Sequence, residues 1–172
     1  MMALSKLAVE RLTKLADFMD ALPAAAAGHF TMRSWMRHDG LHDFAPEVIT
    51  EAALMDCGTT ACAAGWACSV PEFRAAGFGM ERRVVEGRTY WIPKFGEDKD
   101  DDAVMSFFDL DGWDTNDYLF HSYDIASPHE WAEHCRQFIR DSAPSLPNAR
   151  PRSPSKHRVK VITNRVINGK EA

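Results

Sequence analysis

From Leu4 to Leu22 apolar side chains recur at Leu4, Leu7, Ala8, Leu12, Leu15, Met19 and Leu22, with Lys6, Glu10, Lys14 and Asp17 between them. Spacing of three and four residues predicts an amphipathic helix with a core-facing stripe, stopped near Pro23. Residues 23–54 carry a weaker pattern: an alanine run, the segment TMRSWMR with Trp35 as an anchor to the core, and turn-forming Asp39 and Gly40. Ser69, Val70, Pro71 and Glu72 match a capping box that opens a short helix, and Gly77 can end it. In Arg82 to Pro93, β-branched and aromatic residues flank Glu86-Gly87, which predicts a β-hairpin over about 82–93.

The next pattern is helical. The acidic run from Glu97 to Asp102 leads into AVMSFFDL, where Val104, Phe107 and Phe108 share one face. Carboxylates at a helix start are favoured by its dipole, so the run reads as a solvated helix cap. Lys99 in its middle and the missing Gly-x5-Glu pattern argue against a calcium loop. Thr115 is placed to cap a turn carrying Tyr118, Leu119 and Phe120. Ser127, Pro128 and Glu130 form the clearest helix start, followed at helical spacing by Trp131, Cys135, Phe138 and Ile139 to about Asp141.

Composition changes the picture at the C-terminus. The chain has 172 residues, 45% of them apolar and 26% charged, the balance of one folded domain with a core. Its net charge of -5 is unevenly divided: residues 1–142 hold 13 Lys+Arg against 24 Asp+Glu, and residues 143–172 hold 7 against 1. The body is therefore acidic and the end basic. Such a body repels phosphate backbones, so it is not expected to bind nucleic acid over its general surface. Residues 143–155, APSLPNARPRSPS, cannot bury enough apolar surface to fold, and residues 143–172 read as a flexible basic arm. Its end, HRVKVITNRVING, regains partial alternation and can supply one strand. No run approaches the roughly 18 apolar residues of a membrane span, and no secretory signal pattern opens the chain, so a cytoplasmic location without membrane contact is expected.

Candidate chemistry concentrates in MDCGTTACAAGWACSVPEF, residues 55–73, which holds three of the four cysteines. Cys57, Cys62 and Cys68 lack the two- to four-residue knuckle spacing of structural zinc, and on one helix Cys62 and Cys68 diverge by roughly 120°. His38 and His42 are four apart, but Asp39-Gly40 separates them, so no metal or other cofactor is assigned. Nucleophilic catalysis by a cysteine needs a histidine brought in by folding. No hydrolase elbow, zinc-protease helix, Walker loop or deaminase motif is present, and an enzyme is the less favoured class.

Two readings remain for Cys57, Gly58, Thr59 and Thr60. Placed at a helix start, they can offer N–H groups and hydroxyls to an anion; equally, a threonine can cap the helix and Gly58 can supply a positive-φ turn. Ala61, Ala64, Gly65 and Cys68 keep spacings that let neighbours approach closely, while Trp66 fills a larger gap. Arg33, Trp35 and Arg37 are the first candidates to complete a ligand site, with Tyr90, Trp91, Trp113 and His121 as further ones, because arginines and aromatic faces suit a nucleotide.

The opening helix, FTMRSWMRH, CGTTACAAGWA, SFFDLDGWDTNDYLFH and SPHEWAEHCRQFI together resemble a family of small uncharacterised bacterial and phage proteins sharing a CGTxxCxAGW core. The resemblance spans roughly residues 4–141. It implies a phage or mobile-element source and transfers no catalytic residue.

The sequence thus predicts an α+β, mainly α domain over residues 1–142. Four or five helices surround a central small-residue helix, with the hairpin to one side. The expected function is non-enzymatic capture of a small phosphate-bearing, nucleotide-like ligand in a phage–host conflict. One alternative is a protein-interaction module acting on a host protein through the acidic body or basic arm; another is a cysteine-dependent hydrolase or metal protein.

Overall fold

A computed structural model of the chain describes residues 4–39, 48–56, 58–85 and 88–142, without the side chains of Val85 and Arg88. Helix α1, Lys6–Ala21, begins where Ser5 Oγ accepts the Ala8 N–H, and buries Ala8, Leu12, Leu15, Ala16 and Met19. Its end meets Pro23, as the pattern requires, and a 3-10 turn, Ala24–His29, follows. Helix α7, Pro128–Ser142, lies against α1. Arg136 ties the pair at the surface by reaching Asp17 at 3.0 Å and Asp20 at 3.3 Å.

Strands β1 (Met36–His38), β2 (Thr59–Ala61), β3 (Phe78–Val85), β4 (Arg88–Phe95) and β5 (Asp98–Lys99) form one antiparallel sheet. The order is β2-β1-β4-β3, with β5 also on β4. The predicted hairpin is present but starts four residues earlier and ends two later. It sits inside a sheet instead of alone: β1 and β2 are too short to show alternation in sequence, and they join through register. Helix α2 (Glu51–Leu54) lies between β1 and β2, and α3 (Ala63–Ala67) and α4 (Pro71–Ala75) lie between β2 and β3. After the sheet come α5 (Asp100–Phe108) and α6 (Trp113–Phe120).

The architecture is α+β and mainly α. Seven α-helices are described, against four or five expected around a central one; α2, four residues long, is too short to show a helical period in sequence. Two predicted caps are displaced. Ser69 Oγ donates back to Trp66 O at 2.7 Å, so Val70 is the α4 cap and Pro71 opens the helix; Thr115 lies inside α6, which Gly112 starts. Ser127 caps α7 as predicted, accepting the Glu130 N–H at 3.2 Å, while Glu130 accepts the Ala126 N–H at 2.8 Å.

The core is aromatic. Phe73, Phe78, Phe95 and Phe108 surround Phe107, with Phe78 stacked on it at 4.4 Å between centroids. Phe120 and Trp131 extend the cluster toward α7, where Trp131 Nε1 donates to Leu119 O at 2.6 Å. The arm, residues 143–172, and the turn residues Gly40, Glu86 and Gly87 lie outside the described residues. No described helix is long and apolar enough to cross a membrane.

Candidate functional site

The CGTTACAAGWA segment is a turn, a strand and a short helix. Of the helix start expected at Cys57–Thr60, the described part is not helical: Thr59–Ala61 pairs with β1, and the helix begins only at Ala63. Threonines and their β-branched stiffness favour the extended backbone there. Gly58 has φ +90°, which L side chains rarely adopt, and its carbonyl accepts the Asp39 N–H at 2.9 Å. The glycine's turn role is therefore realised. Thr59 is buried, with Oγ1 3.0 Å from His38 Nδ1 and its carbonyl 3.0 Å from His29 Nδ1. Cys57 and His42 lie outside the described residues.

Small residues here serve close packing. All five α3 residues are buried, and a Cβ on Gly65 would stand 2.3 Å from Trp35 O and 2.8 Å from Ala61 Cβ. The close neighbour is thus the β1 approach and β2, not another helix. Trp35 O also accepts the Cys62 N–H at 3.0 Å, which locks the segment in place.

Register sorts the other sequence candidates. Thr60, Arg37 and Tyr90 are neighbours across β2, β1 and β4, and Arg83 extends the row on β3. Arg37 is exposed and 3.1 Å from Asp39; Arg83 is 3.8 Å from Asp100. Carboxylates thus already face both guanidinium groups of this row. Arg33 is exposed beside it in sequence, Trp113 is exposed on α6, and Trp91 is buried in the adjacent Ala61–Met36–Trp91 row. Trp35 stands edge-on to His121, centroids 5.1 Å apart, while His121 Nε2 is 2.7 Å from Asp101 Oδ1. Asp101 also accepts from Asn116 Nδ2 at 2.6 Å. This carboxylate orients a histidine, but no described thiol or hydroxyl is hydrogen-bonded to that ring.

The described cysteines are poor nucleophiles. Burial pushes the Cys62 and Cys135 thiols up to about 12 from the usual 9.0, and it raises Cys68 as well. Thiolate, the reactive form, is correspondingly scarce. Among the described residues no group of three or more His, Cys, Asp or Glu is arranged to hold a metal ion.

A groove that sequence reasoning did not single out lies between α4 and the start of β3, with a volume of about 840 Å³. Trp91 and Met80 supply its apolar wall, and Arg74 and Arg82 its charge; among the described residues no carboxylate lines it. Arg82 and Trp91 stand directly opposite each other on β3 and β4. Arg74 Nη1 donates to Ile49 O at 3.0 Å and Ser69 O at 2.6 Å, which fixes the guanidinium and leaves Nη2 uninvolved in these bonds. Among the described residues neither arginine makes an ion pair. The volume falls in the range of roughly 300–1,000 Å³ usual for small-molecule sites. Strand parity was the available signal: alternation along Phe78, Met80 and Arg82 puts Arg82 on the same face as two apolar residues.

Comparison of the chain with protein-family models, with curated proteins and with solved structures finds no match.

Proposed function

We propose that this protein is a non-enzymatic binding protein that captures a small phosphate-bearing, nucleotide-like ligand in the groove bordered by Arg74, Arg82 and Trp91. The observation that carries the reading is charge: on a body holding 24 acidic residues against 13 basic ones, the described lining of this groove has two arginines and no carboxylate. Guanidinium forks match phosphate oxygens, and an indole with a thioether beside it suits a flat base. Buried, high-pKa thiols give no support to cysteine chemistry. A phage or mobile-element source and a role in host conflict rest on the resemblance of the CGTTACAAGWA core to phage-borne chains.

Calorimetric titration with nucleoside mono-, di- and triphosphates, cyclic nucleotides and inorganic phosphate tests the reading. The account expects a saturable heat with at least one of them. Arg82→Gln, an exposed change, should weaken binding by about 10- to 150-fold, the value of a charged hydrogen bond. Absence of heat across the panel, or full affinity in Arg82→Gln, refutes it.

A second reading, a protein-interaction module using the acidic body, is favoured by a different groove whose rim carries Asp109, Asp111, Asp114 and Asp141. Basic partners complement such a surface. Copurification with a host protein that is lost on Asp111→Lys and kept in Arg82→Gln would favour it over ligand capture.

A further inference from the structure

The second groove, about 890 Å³, lies where the start of α1, the α5–α6 connection and the end of α7 meet. Its floor is apolar, with Leu4, Leu110, Tyr118 and Phe138; its rim is the four aspartates. Among the described residues no lysine, arginine or histidine lines it. Several carboxylates elsewhere on this surface have cationic partners: Arg136 holds Asp17 and Asp20, Lys14 holds Glu72, Lys99 holds Glu81 and Arg140 holds Glu133. Asp109 only accepts from Ser5 Oγ and Asp141 from Gln137, while Asp111 and Asp114 make no ion pair among the described residues. Uncompensated like charges around one groove repel each other, so the arrangement lacks a cation.

We infer that this groove is the seat of the chain's own basic arm, residues 143–172. Connectivity and charge carry the inference independently. The described helix α7 ends at Ser142, one residue after Asp141 on the rim. Arg150 and Arg152 follow after a seven-residue spacer, Ala143 to Ala149, which spans at most about 25 Å at 3.3–3.6 Å per residue. The arm holds 7 Lys+Arg against one Glu, the complement of the rim, and its Val and Ile residues match the apolar floor. A tether this short supplies an effective concentration on the order of 1 mM, so an intrinsic Kd of roughly 0.1 mM fills the groove about nine-tenths of the time. The inference uses no residue of the arginine groove and stands apart from ligand capture.

Amide hydrogen exchange of the full chain, followed by mass spectrometry of peptides from residues 143–172, tests it. At low salt the wild-type arm should exchange about tenfold more slowly than in Asp111→Lys/Asp114→Lys, in line with the nine-tenths occupancy. High salt should abolish the difference. Asp124→Lys, an exposed reversal outside the groove, should leave the protection in place, and adding Arg150→Glu/Arg152→Glu to the groove reversal should restore part of it. Equal exchange in wild type and groove variant overturns the inference. So does equal loss with Asp124→Lys, which would mean unspecific attraction to the body. Protection that grows with protein concentration assigns the groove to the arm of a second copy and overturns it too. Unchanged thermal unfolding of the variants keeps any loss attributable to the groove.

Discussion

Gly65→Ala adds one methyl group and separates two physical expectations of opposite sign. Helix propensity alone favours alanine by up to about 1 kcal/mol. The packing opposes it: the added carbon would meet Trp35 O at 2.3 Å and Ala61 Cβ at 2.8 Å, and the first of these is backbone. Relief requires α3 to move off β1 and β2, which stretches the bond from Cys62 N–H to Trp35 O. Overpacking of a tight site costs about 1–3 kcal/mol, and a weakened hydrogen bond adds about 1 kcal/mol. After subtraction of the propensity gain, Gly65→Ala should be destabilised by about 1–3 kcal/mol, or roughly 3–10 °C in Tm for a domain of this size. Thermal and urea unfolding followed by circular dichroism would measure both. Gly79→Ala is the control, since nothing stands within 4 Å of its would-be Cβ; it should stay within about 0.5 kcal/mol of wild type. A Gly65→Ala protein as stable as wild type, or more stable, would refute the packing explanation of the small-residue segment.

Two further outcomes follow from particular groups. Cys62, Cys68 and Cys135 should resist thiol-specific labelling at neutral pH until the protein is unfolded, because burial raises all three thiols; fast native labelling of Cys62 would contradict their placement. Since the folded thiols bind protons more tightly than unfolded ones, the native state holds more protons above the usual thiol value of 9.0. Their contribution to stability is therefore complete below pH 9.0 and should fade as pH rises toward about 12, readable as a falling Tm over that window. Ser127→Ala removes the acceptor for the Glu130 N–H and should cost about 1 kcal/mol by calorimetry, with no change in any ligand affinity.

The long periodic elements were legible in sequence and the short ones were not. Helix α1, α7 with its Ser127 cap, the aromatic face of α5 and the hairpin all follow from spacing, because each repeats its pattern over two turns or several strand residues. Strand β2 escaped because three residues, Thr59–Ala61, carry no period, and their neighbours are small enough to read as a helix. It is set instead by long-range register with Met36–His38, which only the folded chain supplies. The same limit governs the site. Sequence pointed to arginines and aromatics by their chemistry, with Arg33, Trp35 and Arg37 first and Trp91 among the others; folding pairs Arg37 with Asp39 and sets Trp91 opposite Arg82. Arg74 was hidden altogether, since its fixed position depends on carbonyls of Ile49 and Ser69 contributed by different loops.

Native mass spectrometry of the protein purified from cells, before and after addition of the nucleotide panel, tests ligand capture most directly because it reads mass and stoichiometry together. The account predicts one phosphate-bearing molecule per chain on the wild type and its loss in Arg82→Gln. A bare chain under every condition, or a ligand that Arg82→Gln retains at full occupancy, would contradict it.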